Sequence, residues 1–496
     1  MISRSFLLVL FFAFVSWCHA QERAFPIDTM IASTHQTTIN GQSFAYQAIV
    51  GMQPVWDEMG KPIAALHYTY YQRNDVKKGV ERPLLISFNG GPGSGSVWMH
   101  VAYTGPKVLN IDEEGYPVQP YGVSENPYSI LDVADVVYVN PVNTGYSRTL
   151  PTAGKEIDRD RFFGVNADTK YLAEWLSTFV SRHERWRSPK FLIGESYGGT
   201  RVAGLALALQ EQQWMYLNGV VLVSPADYQA RGSDRPISSV LNFPYFTAAA
   251  WHHKQLPADL QQKDLSEVLP EAEDFAINTL MPALAKGGFL PIAEKEAIAN
   301  EMARYTGVSE KVFLQHNLDL PTRYFWKELL REEGGFTIGR LDSRYLGIDR
   351  IEAGSEPDYS AELTSWLHSF TPAINYYLRE DLGFKTDLRY NMFGPVRPWS
   401  FEDNTVREDL RKAMAENPYL NVMFQSGYYD GATTYFYAKY TMWQLDPSGK
   451  MKDRLRFEGY RSGHMMYLRR EDLQAANEHL RRFIKESLPE GKAAKY

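Results

Sequence analysis

A serine between two glycines, at a point where a strand must turn into a helix, constrains the fold of this chain more than any other feature. Residues 194–198 read GESYG, directly after the apolar run 191–193 and just before a helical pattern that begins near Thr200. Small flanking residues allow a tight, strained turn that exposes the serine hydroxyl above the N-terminus of the helix. The segment therefore predicts a nucleophile, Ser196, and the alternative interpretation is a simple tight turn.

Apolar runs and helical patterns alternate around this serine. Three short apolar runs predict buried strands: 83–88, 133–139 and 219–223. Two segments have apolar residues at helical spacing: 166–181 and 201–210. This alternation predicts a mostly parallel central sheet flanked by helices. Nearer the N-terminus, alternating apolar and polar residues around Asn40-Gly41 predict a hairpin of antiparallel strands.

The alternation stops in the middle of the chain and returns later. The 496 residues, 44% of them hydrophobic, are enough for one large core with an insert. Between about residues 229 and 370 the pattern is helical and aromatic, which predicts a largely helical cap inserted into the core. The predicted organisation is a signal peptide at 1–20, the core at 21–228 and 371–496, and the cap at 229–370.

The N-terminus has the layout of a secretory signal. Arg4 precedes an apolar run at 6–15, and small residues at Cys18 and Ala20 flank a cleavage point after Ala20. The alternative is a membrane anchor, although the apolar run is short for a membrane span. Cys18 is the only cysteine, so the mature chain has none. These features predict an exported protein, periplasmic or secreted and of bacterial type, without stable membrane insertion after cleavage.

Charge and histidine spacing exclude several classes of function. The net charge of −7 is spread over mixed stretches, so no face of one sign is available for nucleic acid. The histidines lack the spacing of metal ligands, and no cofactor motif is present. We expect no metal and no cofactor, and the sequence leaves the oligomeric state open.

A glycine-rich loop follows the predicted strand at 83–88. Residues 89–96 read NGGPGSGS, and its glycines allow a backbone amide to approach a substrate oxygen closely. The loop predicts an oxyanion hole built from the amides of Gly91 and Tyr197. The alternatives are a flexible turn or a phosphate loop, but the Gly-Lys-Ser sequence of a nucleotide-binding loop is absent.

Asp430 and His464 complete the order Ser, Asp, His that the α/β-hydrolase fold requires. Asp430 lies just beyond a predicted strand at 420–425, and His464 lies in a loop before the last helical pattern. Taken alone, Asp430 could be a turn residue and His464 a structural histidine. Their order predicts a triad with Ser196, in which His464 is the general base and Asp430 orients it.

Four motifs together resemble the serine carboxypeptidase family of the α/β-hydrolase superfamily: NGGPG at 89–93, GESYGG at 194–199, Asp430, and GHM at 463–465. The resemblance implies release of C-terminal residues from peptides with a free C-terminus. It also implies that Asn89 and Glu195 bind the substrate carboxylate. A carboxylate beside Glu195 is repelled unless one of the two is protonated, so binding is expected to favour acidic pH.

Two features depart from the family pattern. The residues before Gly105-Pro106 are Ala-Tyr-Thr, where the family often has an acidic residue. Arg201, after the serine turn, is interpreted as a solvated helix residue or, alternatively, as an anion contact.

Two other functions stay open. An esterase or acyltransferase would use the same triad and oxyanion hole, because both serve any acyl group. A non-catalytic binding protein would keep the fold and use the cap for recognition. The complete triad argues against this last alternative.

Overall fold

The computed structural model describes residues 25–76, 81–150, 158–226, 235–402, 404–489, 491 and 493–494. The predicted signal peptide at 1–20 and the predicted boundary at residues 228 and 229 lie outside these ranges.

Fourteen strands have the following bounds: β1 Thr29–Ile39, β2 Gln42–Trp56, β3 Pro62–Arg73, β4 Leu84–Phe88, β5 Lys107–Leu109, β6 Val123–Glu125, β7 Asp135–Val139, β8 Arg148–Thr149, β9 Lys190–Glu195, β10 Gly219–Val223, β11 Thr337–Ile338, β12 Leu346–Gly347, β13 Asn421–Gly427 and β14 Leu455–Tyr460. The α-helices have these bounds: α1 Trp98–Ala102, α2 Val165–Arg182, α3 Tyr197–Gln213, α4 Arg235–His252, α5 Ala258–Gln261, α6 Leu265–Phe275, α7 Met281–Lys286, α8 Ile292–Thr306, α9 Glu310–Gln315, α10 Thr322–Glu328, α11 Ala361–Tyr376, α12 Val406–Glu416, α13 Tyr435–Leu445 and α14 Arg470–Glu486.

Ten of these strands form one mixed sheet in the order β1-β2-β3-β7-β4-β9-β10-β13-β14, with β8 added beside β3. The first strands pair antiparallel, and the Asn40-Gly41 turn between β1 and β2 has the positive φ values of 49° and 76° that a tight hairpin requires. From β7 to β14 every pairing is parallel. The predicted mostly parallel central sheet flanked by helices is confirmed.

The parallel strands are short apolar runs because they are covered on both faces. Every residue of β4, β7, β9 and β10 is buried. Alternate residues face opposite clusters: Phe191 and Ile193 belong to one, and Leu192 and Val220 to the other. Helices α11 and α14 contribute to the first cluster, and α2, α3 and α12 contribute to the second.

A third hydrophobic cluster lies outside the sheet. It contains residues from α4 to α10 together with Tyr429, Tyr435 and Phe436. Helix α11 crosses residue 370, and its Trp366 and Phe370 pack in the first sheet cluster. The division into core and cap at residues 229 and 370 stays a prediction.

The sheet topology determines where the loops meet. Strands β4, β9, β13 and β14 run parallel, so their carboxyl ends lie at the same edge of the sheet. The glycine loop, Ser196, Asp430 and His464 each follow one of these ends within four residues. The four segments are therefore brought together at one edge, as expected for a parallel sheet.

Among the helices of the described ranges, none combines the length and the apolarity needed to cross a membrane.

Candidate active site

Ser196 lies at the turn from β9 to α3 in a strained conformation. Its φ and ψ are 59° and −125°, a region that L-residues rarely adopt. Its amide donates to Val223 O at 2.9 Å, which ties the turn to the neighbouring strand. A Cβ on Gly194 would lie 2.0 Å from Gly198 O, so the turn requires glycine there. The glycine at position 194 thus has a steric reason. The Ser196 side chain projects from a backbone that this turn holds in place.

Asp430 and His464 form a buried pair beside this turn. His464 Nδ1 lies 2.6 Å from Asp430 Oδ2. Asp430 is fully buried, and its Oδ1 accepts the amides of Ala432 and Thr433 at 2.8 and 3.0 Å. Burial lowers the pKa of His464, but the charge and hydrogen bond of Asp430 outweigh it and raise the pKa. Because Nδ1 is engaged by Asp430, Nε2 is the nitrogen that the predicted triad would use towards Ser196.

The His464 loop is held by two other segments of the chain, one at Ser224 and one at residues 341–342. The amide of His464 donates to Leu341 O at 2.6 Å, and Ser224 Oγ donates to His464 O at 2.8 Å. The preceding amide, that of Gly463, donates to the buried carboxylate of Asp342 at 3.2 Å. The imidazole is therefore presented on a rigid backbone.

The glycine loop packs directly against the serine turn. A Cβ on Gly90 would lie 2.5 Å from the Tyr197 amide nitrogen, so the two backbones are in contact. Gly91 has a φ of 107°, and Gly90, Gly91 and Ser196 line the same cleft. The structure places Gly90, the neighbour of Gly91, against the Tyr197 amide, and the oxyanion hole itself stays a prediction.

Glu195 is buried beneath the cleft with two hydrogen-bond donors. Asn89 Nδ2 donates to Oε1 at 3.1 Å, and the Tyr467 hydroxyl donates to Oε2. Burial raises the pKa of Glu195 to about 7, against the lowering effect of His464, Tyr467 and Asn89. Glu195 is therefore a carboxyl group that takes up a proton near neutral pH.

Residues 57–265 match the family model of the serine carboxypeptidases. This part of the chain is therefore similar to the serine carboxypeptidases. The match includes the glycine loop and Ser196, whereas Asp430 and His464 lie beyond it.

Two curated relatives and one solved structure illustrate this relationship. Serine carboxypeptidase-like 36 of Arabidopsis thaliana is 31% identical over 175 residues, which cover 34% of this chain and 33% of that protein. The pheromone-processing carboxypeptidase KEX1 of Saccharomyces cerevisiae is 27% identical over 156 residues, which cover 31% of this chain and 20% of that protein. The chain thus spans about a third or less of the length of these relatives.

The crystal structure of KEX1(delta)p, a prohormone-processing carboxypeptidase from Saccharomyces cerevisiae, matches over 89% of this chain and 91% of that one. Its TM-score is 0.53 at 16% identity, so this likeness concerns the fold. The predicted α/β-hydrolase fold and the predicted family resemblance are confirmed. These relatives come from a plant and a yeast, so they do not support the bacterial origin predicted from cysteine usage.

Asn89, the second residue that the resemblance assigns to the substrate carboxylate, lies deeper than the sequence suggests. Asn89 is fully buried and is not among the residues that line the cleft. Its side chain donates to Glu195 and accepts the Met99 amide at 3.3 Å. The structure therefore brings Glu195 to the cleft and places Asn89 behind it.

Tyr467 and Tyr103 were missed by the sequence analysis. The two rings stack with centroids 4.9 Å apart, and Tyr103 lies in the segment where the family often has an acid. The Tyr103 hydroxyl donates to Gln425 Oε1 at 2.8 Å, whereas the Tyr467 hydroxyl donates to Glu195. The only sequence signal for Tyr467 is its position three residues after His464, in a loop already assigned to the site.

Arg201 is buried, so its interpretation as a solvated residue is wrong. Its Nε donates to Asp168 Oδ2 at 2.7 Å, and both side chains have 1% or less of their surface exposed. The remaining nitrogens donate to Asn89 O at 2.7 Å and Pro92 O at 3.2 Å. Arg201 therefore links α3, which begins directly after Ser196, to the glycine loop.

The cleft above these residues has a volume of about 210 Å³. Its polar side chains are Ser94, Glu195, Ser196, Arg340 and His464. Its apolar side chains are Trp98, Leu341, Leu363, Trp366, Phe393 and Met465. The searched part of the chain, which omits the undescribed residues, contains no group of three or more His, Cys, Asp or Glu residues arranged to hold a metal.

Proposed function

We propose that the chain is a serine-type carboxypeptidase that hydrolyses the last peptide bond of a peptide with a free C-terminus. The observation that carries this proposal is that Ser196, the Asp430-bonded His464 and a protonatable Glu195 face one cleft. The first two supply acyl transfer, and the third supplies a contact for a carboxylate. The similarity of residues 57–265 to the serine carboxypeptidase family supports a peptide as the substrate class.

In the proposed mechanism, His464 Nε2 takes the proton from Ser196 Oγ as the oxygen attacks the carbonyl carbon of the last peptide bond. The amides of Gly91 and Tyr197 stabilise the oxyanion. His464 then gives the proton to the nitrogen of the C-terminal residue, which leaves as a free amino acid. Water, activated by His464, hydrolyses the acyl-enzyme and restores Ser196.

Glu195 is proposed to bind the substrate carboxylate in its neutral form. A protonated carboxyl group donates a hydrogen bond to a carboxylate, whereas an ionised one repels it. Since Asn89 is buried behind Glu195, we propose that Asn89 positions this side chain. Export is proposed on the basis of the N-terminal sequence alone.

The test is release of free amino acid from N-blocked dipeptides, with and without a C-terminal amide, between about pH 4 and 8. Wild type is expected to cleave only the free acid, and Ser196→Ala is expected to lose about 10⁵-fold or more in kcat. If esters are cleaved in a Ser196-dependent way while dipeptides are inert, the chain is an esterase. If neither is cleaved, the binding-protein alternative stands.

A further inference from the structure

Arg340 stands out among the cleft residues because its charge is unpaired. It is exposed at the rim of the cleft that contains Glu195, Ser196 and His464. Within the described chain its guanidinium has no ion pair or hydrogen bond. By contrast, nearby Arg344 is buried and paired with Asp342 at 2.6 Å. An unpaired guanidinium in a cleft is available for an anionic ligand.

The backbone around Arg340 is fixed to the catalytic loops. The amide of Gly431, next to Asp430, donates to Arg340 O at 3.0 Å. Leu341 O accepts the His464 amide at 2.6 Å, and the Leu341 amide donates to the buried Glu362 carboxyl group at 2.9 Å. The side chain therefore starts from a fixed point beside the triad and has to order only its own rotamers on binding a ligand.

The charge of Arg340 acts electrostatically on His464. It is one of the influences that lower the pKa of His464, although Asp430 and Glu195 act in the opposite direction. Arg340 is the single Lys or Arg among the residues that line the cleft, within the described chain. Glu195, which is buried at the base of the same cleft, becomes anionic above about pH 7. Ionised Glu195 therefore repels a carboxylate in the cleft, and Arg340 attracts it.

We propose that Arg340 binds a carboxylate of the C-terminal residue that the enzyme releases. This inference rests on the proposed function and extends it to a residue that selects the substrate. The guanidinium fork matches a carboxylate in two parallel hydrogen bonds. The carboxylate comes from one of two sources, the main-chain terminus or an acidic side chain of that same residue. The apolar walls of Trp98, Trp366 and Met465 enclose the rest of the residue.

The experiment compares wild type with Arg340→Gln on N-blocked dipeptides that end in Leu, Glu, Gln or Lys. Arg350→Gln is the matched control, because Arg350 is exposed but does not line the cleft. If Arg340 binds the terminal carboxylate, KM rises roughly 10-fold for all four dipeptides, with kcat little changed. If it binds an acidic side chain, KM rises roughly 10-fold only for the dipeptide ending in Glu. Equal KM values for wild type and Arg340→Gln on every dipeptide overturn the proposal.

A second measurement separates this proposal from failure of the proposed function. If wild type cleaves no dipeptide but cleaves an uncharged ester, the proposed peptidase activity is refuted. Binding of a carboxylate by Arg340 can still be tested. N-acetyl-leucine, N-acetyl-glutamate and N-acetyl-leucinamide are then titrated calorimetrically into Ser196→Ala with and without Arg340→Gln. Roughly 10-fold weaker binding of the acids alone supports the proposal, and equal binding of acids and amide overturns it.

Discussion

Removing the hydroxyl of Tyr467 should shift the pH range in which the enzyme accepts a free C-terminus. In Tyr467→Phe the ring and its stacking on Tyr103 are kept, and the hydroxyl that donates to Glu195 Oε2 is lost. That donor stabilises the ionised form of Glu195 and so lowers its pKa. Its loss is therefore expected to raise the Glu195 pKa above the wild-type value of about 7.

The size of the shift follows from the environment of the bond. Both side chains are buried, so solvent does not screen it. A hydrogen bond to a charged group contributes about 1.5–3 kcal/mol, and one pKa unit corresponds to about 1.4 kcal/mol. We therefore expect the Glu195 pKa to rise by roughly one to two units. In the proposed mechanism the protonated form of Glu195 binds the substrate carboxylate, so this binding is expected below the Glu195 pKa and is lost above it.

The assay is kcat/KM against pH for a dipeptide with a free C-terminus. The decline at high pH should move upward by roughly one to two pH units in Tyr467→Phe. Tyr103→Phe is the matched control, because it removes a hydroxyl from the same cluster without touching Glu195. An uncharged ester should show no such decline with either variant. A decline that stays at its wild-type pH in Tyr467→Phe refutes the assignment of Glu195 as the proton-dependent carboxylate contact.

Three further predictions address the positioning groups. Burial raises the pKa of Glu362 from 4.5 to about 7, so the folded state loses roughly 3 kcal/mol of stability as the pH rises from below 4.5 to above 7. In Glu362→Gln this pH-dependent loss should be absent, which urea unfolding at pH 4.5 and 8 would measure. Asp430→Asn should lower kcat about 10⁴-fold with KM little changed, and a loss below tenfold in steady-state assays would contradict its triad role. Arg201→Gln should lower the free energy of unfolding by about 3–5 kcal/mol, because it leaves Asp168 buried without its cation. It should also lower kcat more than it raises KM, because the glycine loop loses a hydrogen bond that holds it. In the double variant with Asp168→Asn, part of that stability should return, and strictly additive losses would count against a direct pair.

The triad candidates were within reach of sequence analysis because each is tied to a local pattern. Ser196 follows an apolar run and has Gly194 and Gly198 two positions away on either side, and Asp430 and His464 follow later strand ends in the order that the fold requires. Parallel strands align their carboxyl ends, so local patterns at separate positions imply proximity at one edge. The assignment of Gly91 and Tyr197 follows from the same reasoning and stays a prediction; the contact that the structure shows is between Gly90 and the Tyr197 amide.

The partners of the buried polar groups could not be deduced in this way. Glu195 and Tyr467 are 272 positions apart, and their contact depends on how the last loop packs under the cleft. The interpretation of Arg201 as a solvated residue was wrong because the periodicity of α3 does not show which of its faces the glycine loop covers. The burial of Asn89 behind Glu195 likewise depends on packing around the loop.

The sequence by itself determined the strand-turn-helix at Ser196, the mostly parallel sheet and the order of the predicted catalytic groups, since these depend on local conformation and on hydrophobic periodicity. Only the tertiary structure decided which side chains share protons and charges: Tyr467 with Glu195, Asp168 with Arg201, and no partner for Arg340 in the described chain. The physical reason is that pKa and ion pairing depend on burial and on distances of a few ångströms, which segments far apart in the chain set together.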